Sequence, residues 1–166
     1  EAVHEQNLAS LGQVTEWLEK RDNHWLPVHL LHVPNLPHRH AGVGLARKIG
    51  MDEGLRRLAD VGQAEDGILI CYDADCRCSP NYFTAIETHF AAHPTNPGTS
   101  IHFEHPLSQA EMTQHGFGSL DQALGQAEFE GITAYELHLR YHVRAQKQIG
   151  FPYAFQTIGS SMAVRA

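Results

Sequence analysis

One apolar run constrains this chain more than any other feature. Ile68-Leu69-Ile70-Cys71-Tyr72 lies between Asp66-Gly67 and Asp73-Ala74-Asp75. It is the longest uninterrupted apolar stretch, and it has the length of a strand. A membrane-crossing helix needs roughly 20 apolar residues, so no membrane span is expected. The run is apolar on both faces, as the central strand of a parallel sheet should be. Asp66-Gly67 supplies the turn into it.

The flanking pattern alternates helix and strand. Leu8, Leu11, Val14 and Leu18 predict a helix over about 5–20, and Leu45, Ile49, Leu55 and Leu58 a second over about 45–60. Between them Pro27 to Val33 reads as a short strand, followed by the glycine-containing loop His38 to Gly44. Ser79-Pro80 reads as a helix cap with Pro in the first turn, and Phe83, Ile86 and Phe90 as that helix's inward face. Ser100 to Phe103 is predicted as a strand and 119–148 as a helix, its stripe Leu120, Leu124, Ile132, Tyr135, Leu139 and His142, with Gly131 a point of bending. Tyr153 to Ile158 is predicted as the last strand. The order α-β-α-β-α-β-α-β predicts an α/β layered sheet with parallel strands at its centre, in one domain over 1–166.

Composition narrows the function classes. At 166 residues, 42% hydrophobic and 19% charged, the chain can bury a core and is not intrinsically disordered. Its net charge of −7 argues against a nucleic-acid partner, which would need a basic stripe. Cys71, Cys76 and Cys78 are odd in number and clustered, which points to a reducing, cytoplasmic compartment. Glu1 to Glu5 carries neither the basic nor the apolar segment of a signal peptide. With no starting Met, the chain reads as a piece of something longer.

Thirteen histidines invite a zinc site. His29/His32, His38/His40, His102/His105 and His138/His142 are the candidate pairs, and only the last has the i,i+4 spacing that shares a helix face. No pair stands in an H-E-x-x-H context, and C-x4-C-x-C is not a zinc-knuckle spacing.

Ligands of open α/β sheets bind beyond the carboxyl ends of the strands. The apolar run delivers Asp73 and Asp75 there. Two carboxylates at i, i+2 form a hard-oxygen patch suited to Mg²⁺ or Mn²⁺ shared with phosphate oxygens. One unit earlier, Gly42-x-Gly44-x-Ala46-Arg47-Lys48-x-Gly50 sits at a loop-to-helix junction, where backbone can approach an anion closely. It is neither a Walker loop nor G-x-G-x-x-G.

Taken together, G-V-G-L-A-R-K-I-G-M-D-E and D-G-I-L-I-C-Y-D-A-D-C resemble glycosyltransferase family 2 of the GT-A fold. Tyr135 to Tyr141 and Gly159-Ser160-Ser161-Met162-Ala163-Val164-Arg165 are similar to bacterial members of that family, and the match runs in order from about residue 28 to 166. The resemblance implies a GT-A-like, Rossmann-like three-layer α/β/α sheet, mostly parallel. It implies a nucleotide-sugar donor and a saccharide or other hydroxyl acceptor. Asp75 would ligate a divalent cation, Mg²⁺ or Mn²⁺. Asp73 would contact the ribose or a metal-bound water. Gly42, Gly44, Arg47 and Lys48 would lie near the nucleotide, although Lys48 stands where the family has Asn. Gly159 to Ser161 would border the acceptor side. The chemistry implied is an in-line, inverting displacement at the anomeric carbon, with a carboxylate base on the acceptor hydroxyl.

Two family features are absent, the first strand and the Glu-Asp base motif that follows G-S-S-x-A-x-R. The chain is therefore expected to be a core fragment, incomplete at both ends and without turnover, its catalytic base unknown. Glu104 and Glu136 match no base motif and read as surface or capping residues. The missing strand would leave a sheet edge open to self-association.

Three rival readings differ in chemistry. A haloacid-dehalogenase-like phosphatase would need Thr or Val where Arg77 stands. A cysteine nucleophile at Cys76 or Cys78, beside Arg77, has no His tied to it by pattern. The alternative carried forward is a non-catalytic, His-rich metal-binding or interaction domain. Tyr72 and Trp25 are expected to pack rather than stack on a ligand.

Overall fold

The computed structural model describes residues 2–21, 25–34, 36–37, 39–74, 76–105, 122–156 and 158–166. They fall into two units, Glu1–Ala41 and Gly42–Ala166.

The first unit holds helix α1, Ala2–Lys20. Leu11, Val14 and Leu18 are its half-buried stripe, while Leu8 is exposed. Near its end the Arg21 guanidinium lies 5.4 Å from the Trp17 ring centre, a cation–π contact. The strand expected over 27–33 is not formed, and Val28, Leu30, Leu31 and Val33 are exposed. Strand composition without a ladder partner leaves the backbone hydrogen bonds to water.

The second unit contains α2 (Val43–Asp60), β1 (Ile68–Cys71), α3 (Tyr82–Ala92), β2 (Gly98–Ser100), α4 (Gln122–Gln148) and β3 (Met162–Arg165). Its sheet has three strands in the order β1-β3-β2. Both pairings are antiparallel, with Leu69 opposite Val164 and Thr99 opposite Ala163. Beyond the strand ends, the Ile101 N–H donates to the Ser161 carbonyl at 2.7 Å and the Ala166 N–H to the Gly67 carbonyl at 2.9 Å.

This corrects the expected fold. The sheet is small and antiparallel, not the mostly parallel three-layer sheet of a GT-A domain, and the chain is dominated by helices. β1 is an edge strand rather than a central one. It is apolar on both faces because both are covered. Ile68 and Ile70 pack on the core of Ile86, Phe90 and Ala163. On the other face Leu69 meets α2, where a side-chain carbon at Gly54 would come within 2.8 Å of it. Apolarity reports coverage; it says nothing of strand direction.

Other boundaries move as well. Tyr153–Gln156 and Ile158 form turns and coil, and the last strand is Met162–Arg165. Helix α3 begins at Tyr82 with Asn81 as its N-cap, so Ser79-Pro80 belongs to the preceding turn, closed by the Tyr82 N–H on the Ser79 carbonyl at 3.0 Å. Its inward stripe is the half-buried Tyr82 and the buried Ile86 and Phe90, spaced i, i+4, i+8, and Phe83 is exposed. Helix α4 runs through Gly131. Leu120 lies outside the described residues, as does the Leu124 side chain; Tyr135 and His142 on the same predicted stripe are exposed.

Arg165 locks the sheet to α3. Its guanidinium donates to the Phe90 carbonyl at 2.9 Å and the Asn96 carbonyl at 3.1 Å, and lies 5.2 Å from the Phe90 ring centre. Among the described residues, no helix is long and apolar enough to cross a membrane.

Gly67 is buried, and a methyl there would overlap the Leu58 side chain and lie 2.8 Å from the Gln63 carbonyl oxygen. That oxygen already accepts the Gly67 N–H at 2.8 Å, so it has no room to withdraw. Gly67→Ala is expected to lower stability by about 1–3 kcal/mol, the usual cost of overpacking. Urea unfolding of the two proteins measures this, and an unchanged midpoint would contradict it.

Candidate functional site

The candidate residues sit where β1 ends and α2 begins. The chain leaves β1 at Cys71, and the Asp73 carbonyl accepts the Cys76 N–H at 3.1 Å, turning the backbone just beyond the strand. Gly42 caps α2 without a side-chain hydrogen bond, so the first N–H groups of the helix keep their donors unused by a cap. A side-chain carbon at Gly42 or Gly44 would meet nothing within 4 Å.

Arg47, one turn into α2, reaches Asp73. Its Nη2 donates to both carboxylate oxygens, at 3.0 Å each. One nitrogen thus serves two oxygens, which falls short of the two-nitrogen fork available to an Arg–carboxylate pair. Arg47 Nε is buried with no hydrogen-bond partner. The side chains are 27% and 41% exposed, so water weakens the pair and leaves the carboxylate reachable. Gly159 lies against the same guanidinium: a methyl there would come within 2.8 Å of Arg47 Cζ. Ser160 and Ser161, which follow it, are buried. Arg47, Asp73 and Gly159 belong to three separate sequence motifs and meet here.

The remaining candidates divide differently. Lys48 is exposed and pairs with Asp52 one turn on, so it lies on a solvated helix face. Asp75 lies outside the described residues. Tyr72 is half-exposed and meets Tyr82 edge-on, with ring centres 5.7 Å apart; burial and its hydrogen bond to Cys78 push its hydroxyl pKa up. Trp25, expected to pack, is exposed. Cys71, Cys76 and Cys78 form no disulfide.

A divalent cation needs several oxygen donors. Both Asp73 oxygens already face a guanidinium, and among the described residues no group of three or more His, Cys, Asp or Glu could hold a metal. The described residues do not make up a cation site. The paired histidines behave accordingly. The His138 and His142 rings stack 6.4 Å apart on α4, while His102 and His105 turn to Glu104 and Glu136. His38 lies outside the described residues.

Glu136 was expected at the surface and is instead 1% exposed. Its Oε1 accepts the His105 backbone N–H at 2.9 Å and faces His105 Nδ1 at 2.7 Å, and its Oε2 accepts Arg140 Nε at 3.2 Å. Arg140 also reaches the exposed Glu104, at 3.2 Å. Burial alone would raise the Glu136 pKa. The His105 ring and backbone donors and Arg140 outweigh it, and hold the carboxyl below the usual range. The i,i+4 spacing of Glu136 and Arg140 is visible in the sequence, but His105 lies 31 positions upstream and nothing local announces it.

Compared with protein-family models, with curated proteins and with solved structures, the chain matches none.

The depressed Glu136 pKa has a definite sign in stability. Its contribution is present above the unfolded value, 4.5, and is lost as pH falls through the lower folded value. Glu136→Gln should cost about 1–3 kcal/mol at neutral pH, because it leaves a buried donor unmatched. It should also flatten the decline of Tm below the ordinary carboxylate range. Thermal unfolding across acidic pH checks both, and parallel acid limbs in the two proteins would refute the assignment.

Proposed function

We propose that this chain is the donor-binding core of a glycosyltransferase that takes a nucleotide-diphospho-sugar and transfers the sugar to a hydroxyl of a saccharide or other acceptor. The observation that carries this is the meeting of Arg47, Asp73 and Gly159 at the polar end of β1. These residues come from the three motifs of the family resemblance that have chemistry to offer, and they converge although the sheet around them differs from the family's.

The chemistry follows from what each group has left to give. Asp73 is oriented by Arg47 and still reachable, so its free lone pairs accept hydrogen bonds from the vicinal hydroxyls of a ribose. The uncapped N–H groups at Gly42–Gly44 and the positive end of α2 favour the diphosphate. Arg47 adds positive charge, which stabilises negative charge as the diphosphate departs. Gly159 leaves the space in which the guanidinium lies. Glu136 is not the acceptor's base, since its carboxylate is buried and held by His105 and Arg140. The same proposal includes pairing between copies along β1 or β2, the sheet's outer strands.

Calorimetric titration with UDP and with GDP tests the site. One of the two should bind, and Asp73→Asn or Arg47→Met should weaken it by at least about tenfold, the loss of one charge-assisted hydrogen bond. Gly159→Ala should do the same by displacing the guanidinium. Nucleotide binding indifferent to all three substitutions, or absent, would sink the proposal. Tight Zn²⁺ binding with no response to nucleotide would instead favour a His-rich metal-binding domain.

A further inference from the structure

A second concave site lies elsewhere in the Gly42–Ala166 unit, between the chain after β2, helix α4 and the segment before Gly159. Its volume is about 290 Å³. Ile101, Phe103, Val143 and Phe155 are its apolar walls, and Ser100, His102, Lys147 and Gln156 its polar lining. Val143 and Lys147 stand one turn apart on α4, which brings both onto a single helix face.

Two features separate this cavity from a packing defect. Gln156 Nε2 is buried without a hydrogen-bond partner, a state that costs free energy unless an acceptor arrives. Lys147 forms no ion pair among the described residues. In a chain with net charge −7, no Asp or Glu among the described residues lines the cavity. The polar groups set against the apolar and aromatic walls are thus the Lys147 cation, the unused Gln156 amide donor, the Ser100 hydroxyl and His102, whose Nε2 lies 3.1 Å from Glu104.

We infer that this cavity binds a small aromatic anion, its carboxylate or phosphate taken by Lys147 and Gln156 and its ring by Phe103 and Phe155. The volume is roughly twice the ~150 Å³ that admits benzene, so a bicyclic ring fits. An anionic oxygen accepting from Gln156 Nε2 removes the unsatisfied donor. The ring replaces water against the apolar walls, and the Lys147 ammonium supplies the opposite charge.

Calorimetric titration of the full chain with naphthyl phosphate, naphthoate and naphthol tests this. At least one anion should bind about tenfold or more tightly than naphthol, and the tighter of the two identifies the headgroup. Lys147→Met and Gln156→Leu should each weaken that anion by about tenfold, while Lys147→Arg should retain it. Gln156→Leu should not lower Tm, because it removes an unpaired buried donor without leaving another. Equal binding of naphthol, an anion indifferent to Lys147→Met and Gln156→Leu, or no binding by any of the three compounds would overturn the inference.

Discussion

The middle strand of the sheet is the last element of the chain. β1 and β2 do not pair with each other; each pairs only with β3, and Ala163 at the centre of β3 is fully buried beneath Ile86 and Phe90. A small side chain there lets α3 come down onto the sheet. Register Ile68↔Arg165 joins residues almost a hundred positions apart, so the sheet forms only after a long loop has closed. Until then β1 and β2 have no ladder at all. Arg165 adds to the closure, since one guanidinium ties two carbonyls of the α3 region and covers the Phe90 ring.

The same closure assembles the candidate site. Gly159 lies three residues before β3, and docking that strand brings Gly159 against Arg47. Arg47 in turn holds Asp73 beyond the end of β1. Docking of β3 therefore completes the Arg47–Asp73–Gly159 cluster, even though no β3 side chain belongs to it.

The elements were legible in the sequence to different degrees, for physical reasons. Helix periodicity is local, and Leu11, Val14 and Leu18 mark α1 without knowledge of its surroundings. The strand at Ile68–Cys71 was equally plain, but its direction and place in the sheet depend on a partner at the other end of the chain. Val28 to Val33 and Tyr153 to Ile158 have strand composition, yet a strand exists only with a ladder. Met162–Arg165, noticed for its motif rather than its pattern, has the ladder. Asp73 and Arg47 were visible as site candidates because motif spacing carries them. Glu136 was hidden because a lone Glu in a helix is ordinarily exposed, and its partner His105 is distant in sequence.

Among the carboxylates paired with an arginine, Glu136 and Asp73 stand in contrasting surroundings. Glu136 is sealed from water, and its oxygens face His105 N–H, His105 Nδ1 and Arg140 Nε. Such a group has little left to offer a ligand; removing a donor would strand a buried charge, and the arrangement serves to hold the chain after β2 on α4. Asp73 is 41% exposed and shares a single arginine nitrogen between its two oxygens. It is oriented without being saturated. Arg47 Nε is also unmatched, but it is buried. The unspent hydrogen-bonding capacity at Asp73, more than the presence of charge there, distinguishes it from Glu136, whose oxygens are matched.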